Sequence, residues 1–201
     1  MKNSLIILLF FAAGLLMGIY GVLPEQLLTN DYSTWALYVL MFLVGVGIGG
    51  DERSLKALAQ FNLRIFMVPV TTILGTFLGV TVVYVFLSHV SLTEVLAVGA
   101  GFGYYSLSSI IISDLHSAEL GVVALLANVM REIITLVMAP VFMRYFGRLA
   151  PVSSAGATSM DTTLPVISAT SGKEYIITAL FHGIILTISV PFLVAIILSL
   201  G

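Results

Sequence analysis

The sequence contains no cysteine, which excludes a disulfide framework, a thiolate metal site and a thiol nucleophile, and leaves the redox compartment unmarked. Charge is almost as scarce, at 9% of 201 residues. With so few ionisable groups, a net charge of -2 and no basic cluster, nucleic acid is excluded as a partner. Three histidines without helical ligand spacing give no metal site, and no GxSxG, phosphate-loop or zinc motif is present. An enzyme is therefore not expected, nor a cofactor. No tandem repeat is visible.

In place of charge there is apolar sequence: 59% of residues are hydrophobic and the mean hydropathy is +1.13, outside the range of soluble globular domains. About 20 apolar residues span the roughly 30 Å hydrocarbon layer, so a chain of this length holds several crossings and no sizeable soluble domain. Five segments qualify, at about 4–23, 33–50, 65–88, 120–143 and 175–199. Lys2 followed by NSLIILLFFAAGLLMGI is reminiscent of a secretory signal. The apolar stretch runs on to Leu23 without an A-x-A pattern, so it reads as a retained first helix.

Arg53, Lys56 and Arg64 lie between the second and third segments, whereas only Glu25 and Asp31 are charged between the first two. The positive-inside rule therefore predicts a cytoplasmic amino terminus and 51–64 loop, and it places Arg144 and Arg148 inside as well. If VLAVGAGFGYYSLSSIIIS crossed fully, those two arginines would lie outside. The stretch is therefore expected to enter and return, as is PVSSAGATSMDTTLPVISATSG from the opposite face; interrupted backbone at membrane depth needs protein or a wet cavity around it. The expected fold is an all-α polytopic membrane protein forming a single transmembrane domain over 1–201. It has about five full transmembrane helices and two interrupted or re-entrant half-crossing segments near 95–116 and 153–171, with the carboxyl terminus periplasmic.

Asn128, Arg131, Glu132 and Thr135 sit near the middle of the fourth long segment and fall within roughly 100° of helical arc. Charges at mid-bilayer cost roughly 2.5–3.5 kcal/mol each and usually face a bundle interior or an aqueous path. Arg131 and Glu132 diverge as sequence neighbours, so each needs another partner; a structural ion pair between helices is the alternative to a substrate or proton site. Asp161, with Ser159 and Thr162 beside it, reads either as the N-cap of a short helix starting near Thr162 or as a site carboxylate, and the two roles are compatible. A half-helix beginning inside the membrane turns free N–H groups toward an anionic group while nearby carboxylates take a cation, which suits a zwitterion. Tyr104, Tyr105, Ser106, Ser108 and Ser109 read as a wall of such a path, with the interfacial aromatic belt as the alternative for the tyrosines. His182 reads as a packing histidine or a proton relay.

GFGYYSLSSIII, ANVMREIITLVMAPVFMR, GATSMDTTLPVI and ALFHGIILTISVPFLVAII, in that order, resemble the lysine exporter family of bacterial inner-membrane proteins (the LysO type); LMFLVGVGIGGDERSLK extends the likeness over essentially the whole chain. The resemblance implies export of L-lysine and its analogue thialysine, an intramembrane role for Glu132, a second site residue in Asp161, and a conduit wall in the glycine-tyrosine-serine run. Relatives carry a further amino-terminal membrane portion. The resemblance thus implies a small membrane-protein partner or a homodimer. Export of a cation against an inside-negative potential calls for coupling, and proton exchange is the expected form. A cation/proton antiporter or an accessory membrane subunit is the alternative reading.

Overall fold

The computed structural model describes residues 63–87 and 89–200, with scattered positions between 9 and 59. The first two expected crossings and most of the 51–64 loop lie outside the described residues. Among those described, the chain is helical without strands, and three helices are long and apolar enough to cross a membrane. These are α1 (Leu63–Tyr84), α4 (Ala118–Phe146) and α7 (Ile176–Ser199). All three match expected crossings. Their β-branched content favours strands in water, but a lipid-exposed backbone has to satisfy its own N–H and C=O groups, and only the helix does so within one segment.

Between α1 and α4 the chain forms a helical hairpin of α2 (Leu92–Gly99) and α3 (Tyr105–Leu115). Ser91 and Glu94 start α2 with a reciprocal capping box, and Ser117 caps α4 through the Leu120 N–H. The break at Gly101-Phe102-Gly103 follows from backbone conformation: Phe102 and Gly103 have φ of 45° and 90°, which turns the chain back at no cost for glycine. Were α2 and α3 collinear, Glu94 and His116 would stand about 33 Å apart at 1.5 Å per residue. Instead the His116 ring meets the Glu94 carboxylate at 2.8 Å, so both ends of the hairpin lie at one level.

A second hairpin follows α4, made of α5 (Ala150–Ala155), a 3-10 turn (Gly156–Met160) and α6 (Leu164–Thr170). Arg148 before it and Glu174 after it pair at 2.9 Å, closing its mouth at the other end of α4. The 29 residues of α4 run about 43 Å, and the two hairpins reach inward from opposite ends of it. Their tips meet: the Ala157 N–H donates to the Phe102 carbonyl at 2.8 Å. Around that junction lies the largest apolar core, with Ala97, Ala100, Phe102, Leu107, Ile112 and Leu186 all buried, and the Phe77 and Phe102 rings packed 5.8 Å apart. The helix expected near Thr162 begins only at Leu164, so Asp161 does not cap it. Pro165 fixes the first turn there, and the Asp161 carboxylate turns back to its neighbour Thr162 instead.

The mouth of the first hairpin gives a pH-dependent prediction. The Ser91 N–H donated to Glu94, followed by the His116 ring, holds the Glu94 carboxyl below its ordinary value of 4.5. A lowered folded pKa gives stability that is present above 4.5 and is lost as pH falls through the lowered value. Glu94→Gln is therefore expected to melt below wild type near pH 6 and to match it in strong acid. Thermal melts of the solubilised protein across that window check this.

Candidate functional site

The tip junction lies beside the polar stripe of α4. Asn128, buried, accepts the Gly103 N–H at 2.7 Å and donates to the carbonyls of Ala124 (2.9 Å) and Val98 (3.3 Å), so one side chain seats the first hairpin's tip. Any side chain at Gly101 would collide with it. Arg131, half-buried, donates from Nε to the Ser154 carbonyl (2.8 Å) and from Nη2 to the Ser153 carbonyl (2.9 Å), with a longer 3.4 Å contact to Thr76. These carbonyls end α5, whose dipole presents negative charge there. The partner that Arg131 requires is thus a helix end. Thr135 donates to the Arg131 carbonyl, so its 2.7 Å contact with Ser154 is donated by the serine.

Glu132 lies on the other flank of the stripe and is fully buried. Asp161, at the exposed turn ahead of α6, is within range of the Glu132 charge, and Tyr104 is within range of Asp161. Glu132, Asp161 and half-buried Tyr104 thus lie, in that order, each within electrostatic reach of the next. Tyr105 instead packs against Leu125 and Val129 of α4. The Ser108 and Ser109 hydroxyls bond back to the Tyr104 and Ser106 carbonyls of their own helix, and Ser106 occupies the first turn of α3. Thr162 donates both its N–H and its hydroxyl to the Asp161 carboxylate.

His182 is fully buried on α7 between Ser159 (3.1 Å at Nδ1) and Thr72 (3.0 Å at Nε2). Because Ser159 donates its hydroxyl to the Ala179 carbonyl, its contact with the ring is donated by Nδ1–H. The histidine thereby ties α1, the 3-10 turn and α7 together. Thr72, Thr76, Ser153 and Ser154 were missed by sequence reasoning; hydroxyls in otherwise apolar α1 and next to the second hairpin's glycine were the available signal. An apolar cavity of about 440 Å³ between α1, α2 and α4 runs from Glu94 past Val98 to Asn128 and Arg131, and it does not include Glu132 or Asp161. Among the described residues no group of three or more metal-ligating side chains occurs.

Long apolar helices around two hairpins whose tips meet beside a buried polar stripe define a polytopic α-helical membrane protein with an internal polar site. The chain belongs to the lysine exporter LysO family, whose model matches residues 8–198. It is 32% identical over 182 residues to the lysine exporter LysO of Escherichia coli K12, an alignment covering 90% of this chain and 60% of that protein. A Haemophilus influenzae relative whose name only proposes a lysine-export role is 31% identical over 82% of this chain and 83% of its own length. No solved structure matches.

Proposed function

We propose that the chain exports L-lysine, and analogues such as thialysine, across the bacterial inner membrane in exchange for protons. One observation carries the reading: a fully buried carboxylate, Glu132, stands halfway along a crossing helix, within charge range of Asp161 and beside the meeting point of two hairpin tips. The names of the relatives and their family supply the substrate. Buried acids at membrane depth accompany cation pathways and proton relays. The Arg131 charge does not oppose a cationic substrate strongly, because it is held by the carbonyl end of α5.

In this proposal the two hairpins are re-entrant half-crossings, and five full crossings include the two in residues 4–50. The Arg144 and Arg148 end of α4 faces the cytoplasm, as does the amino terminus, and the carboxyl terminus is periplasmic. The small membrane partner or second copy expected above completes the exporter. Moving Lys⁺ outward against an inside-negative potential costs about 2.3 kcal/mol per 100 mV. One-for-one exchange with H⁺ moves no net charge, so the proton concentration gradient drives export. Either acid then binds the ammonium from inside and releases it outside on protonation. In proteoliposomes loaded with labelled lysine, an inward proton gradient is expected to drive efflux that potassium or sodium in excess does not compete with. Proton-driven flux of those ions without lysine flux would replace this reading with a cation/proton antiporter.

A further inference from the structure

Residues 147–199 are arranged like 92–144 at an offset of 55 residues, each stretch holding one hairpin followed by one long helix, so under the re-entrant topology proposed above the two run in opposite directions through the membrane. In sequence the likeness is faint: Ala100-Gly101 falls on Ala155-Gly156, Ile112-Ser113 on Ile167-Ser168, and Ala124-Leu125 on Ala179-Leu180. In burial it is regular. The seven buried α4 positions from Ala124 to Ala139 are all buried again 55 residues on in α7. The bond joining the tips links counterparts, since Ala157 corresponds to Phe102. The tip seats correspond as well: Asn128 holds Gly103, and its counterpart Gly183 receives the second tip so closely that a Cβ there would meet the Ala157 carbonyl at 2.8 Å. These correspondences are the ones a pseudo-two-fold axis beside the tip junction would produce.

Under that operation Glu132 maps to Thr187 and Asp161 to Ser106. The acid pair on one side of the axis has a hydroxyl pair on the other. Thr187 is 2% exposed, and among the described residues its Oγ1 has no hydrogen-bond partner. A buried hydroxyl left so is costly without a ligand. Its companion Ser106 lies in the first turn of α3, an 11-residue helix that starts with no side-chain cap and presents its amide N–H groups and positive dipole end. A hydroxyl at an uncapped helix start, paired through the repeat with the unpartnered Thr187 hydroxyl on α7, a helix that packs against α3, suits a carboxylate.

We infer that Thr187 and Ser106, with the amino end of α3, form the half-site for the α-carboxylate of the transported amino acid, opposite the acidic half-site for its ammonium. This rests on the lysine-export reading, and it makes the cargo a zwitterion with an added cation rather than a simple diamine. The full chain in proteoliposomes tests it by competition of lysine, lysinamide and cadaverine against labelled lysine efflux. Wild type is expected to prefer lysine over both carboxylate-lacking compounds by at least about tenfold. Thr187→Val is expected to weaken lysine about tenfold and leave the other two unchanged, so that the preference disappears. Thr187→Ser retains it, and Ser106→Ala reduces it. The same Thr187→Val change, by removing a buried hydroxyl that lacks a partner, should raise the melting temperature of the ligand-free protein. Undiminished preference for lysine in a folded Thr187→Val protein overturns the inference while export stands. If none of the three compounds competes, or no lysine moves in wild type, the export reading fails and this one with it.

Discussion

Glu132→Gln is expected to lower pH-driven lysine export about 100-fold or more in proteoliposomes, with little change in melting temperature. Glutamine keeps the shape of the buried side chain but removes both the negative charge that would pair with an ammonium and the group that would take up a proton. A hydrogen bond to a charged partner contributes about 1.5–3 kcal/mol, or roughly 10- to 150-fold in binding, and loss of the proton step removes the coupling as well. Glu132 is 0% exposed, so bulk water does not stand in for the missing charge. Asp161→Asn, at an exposed turn, is expected to reduce export less, because solvent screens that carboxylate. Efflux measured with and without the proton gradient distinguishes the two contributions: loss of gradient dependence alone points to the proton step. Export by Glu132→Gln at the wild-type, gradient-dependent rate would remove Glu132 from the mechanism.

The second large effect is structural. Gly156→Ala is expected to destabilise the protein by about 3 kcal/mol and to uncouple the hairpins. Gly156 has φ of 66°, a left-handed conformation costing an L-residue roughly 1–2 kcal/mol, and its added methyl would collide with the Phe102 carbonyl at the tip junction. Overpacking of that kind adds about 1–3 kcal/mol. The carbonyl cannot retreat without losing its bond from the Ala157 N–H. Gly147 separates the two causes. It also has a positive φ, 89°, but among the described residues nothing lies within 4 Å of where its Cβ would stand, so Gly147→Ala bears the conformational cost alone. Thermal melts of both variants should show the larger loss at Gly156. Equal losses would mean that the tips are not pressed together.

Periodicity and hydropathy made the third, fourth and fifth crossings legible, with α1, α4 and α7 close to the expected bounds. The glycines and small residues marked both interrupted segments, because nothing else turns a backbone inside an apolar run. Asn128, Arg131, Glu132 and Thr135 were legible as one stripe for the same reason that any helical face is. The partners of that stripe were not. Arg131 is satisfied by two backbone carbonyls, Ser153 and Ser154, and a carbonyl has no residue identity to read. Asp161 carried the appearance of an N-cap, but Pro165 sets the start of α6 at Leu164 and leaves the aspartate ahead of it. The 55-residue correspondence inferred between 92–144 and 147–199 leaves only scattered identities. What it preserves is burial, and lipid and core both accept the same apolar side chains.

By itself the sequence determined that the chain lives in a membrane, where its long helices and breaks fall, and which polar groups ride at depth. These follow from the cost of unpaired backbone and bare charge in hydrocarbon, which each residue meets locally. Only the tertiary structure decided that the two breaks touch at Phe102 and Ala157, that Arg131 closes a helix end, and that His182 bridges Thr72 and Ser159. Those pairings join residues 22 to 110 apart, and apolar runs of one composition pack equally well in many registers until the polar contacts choose one.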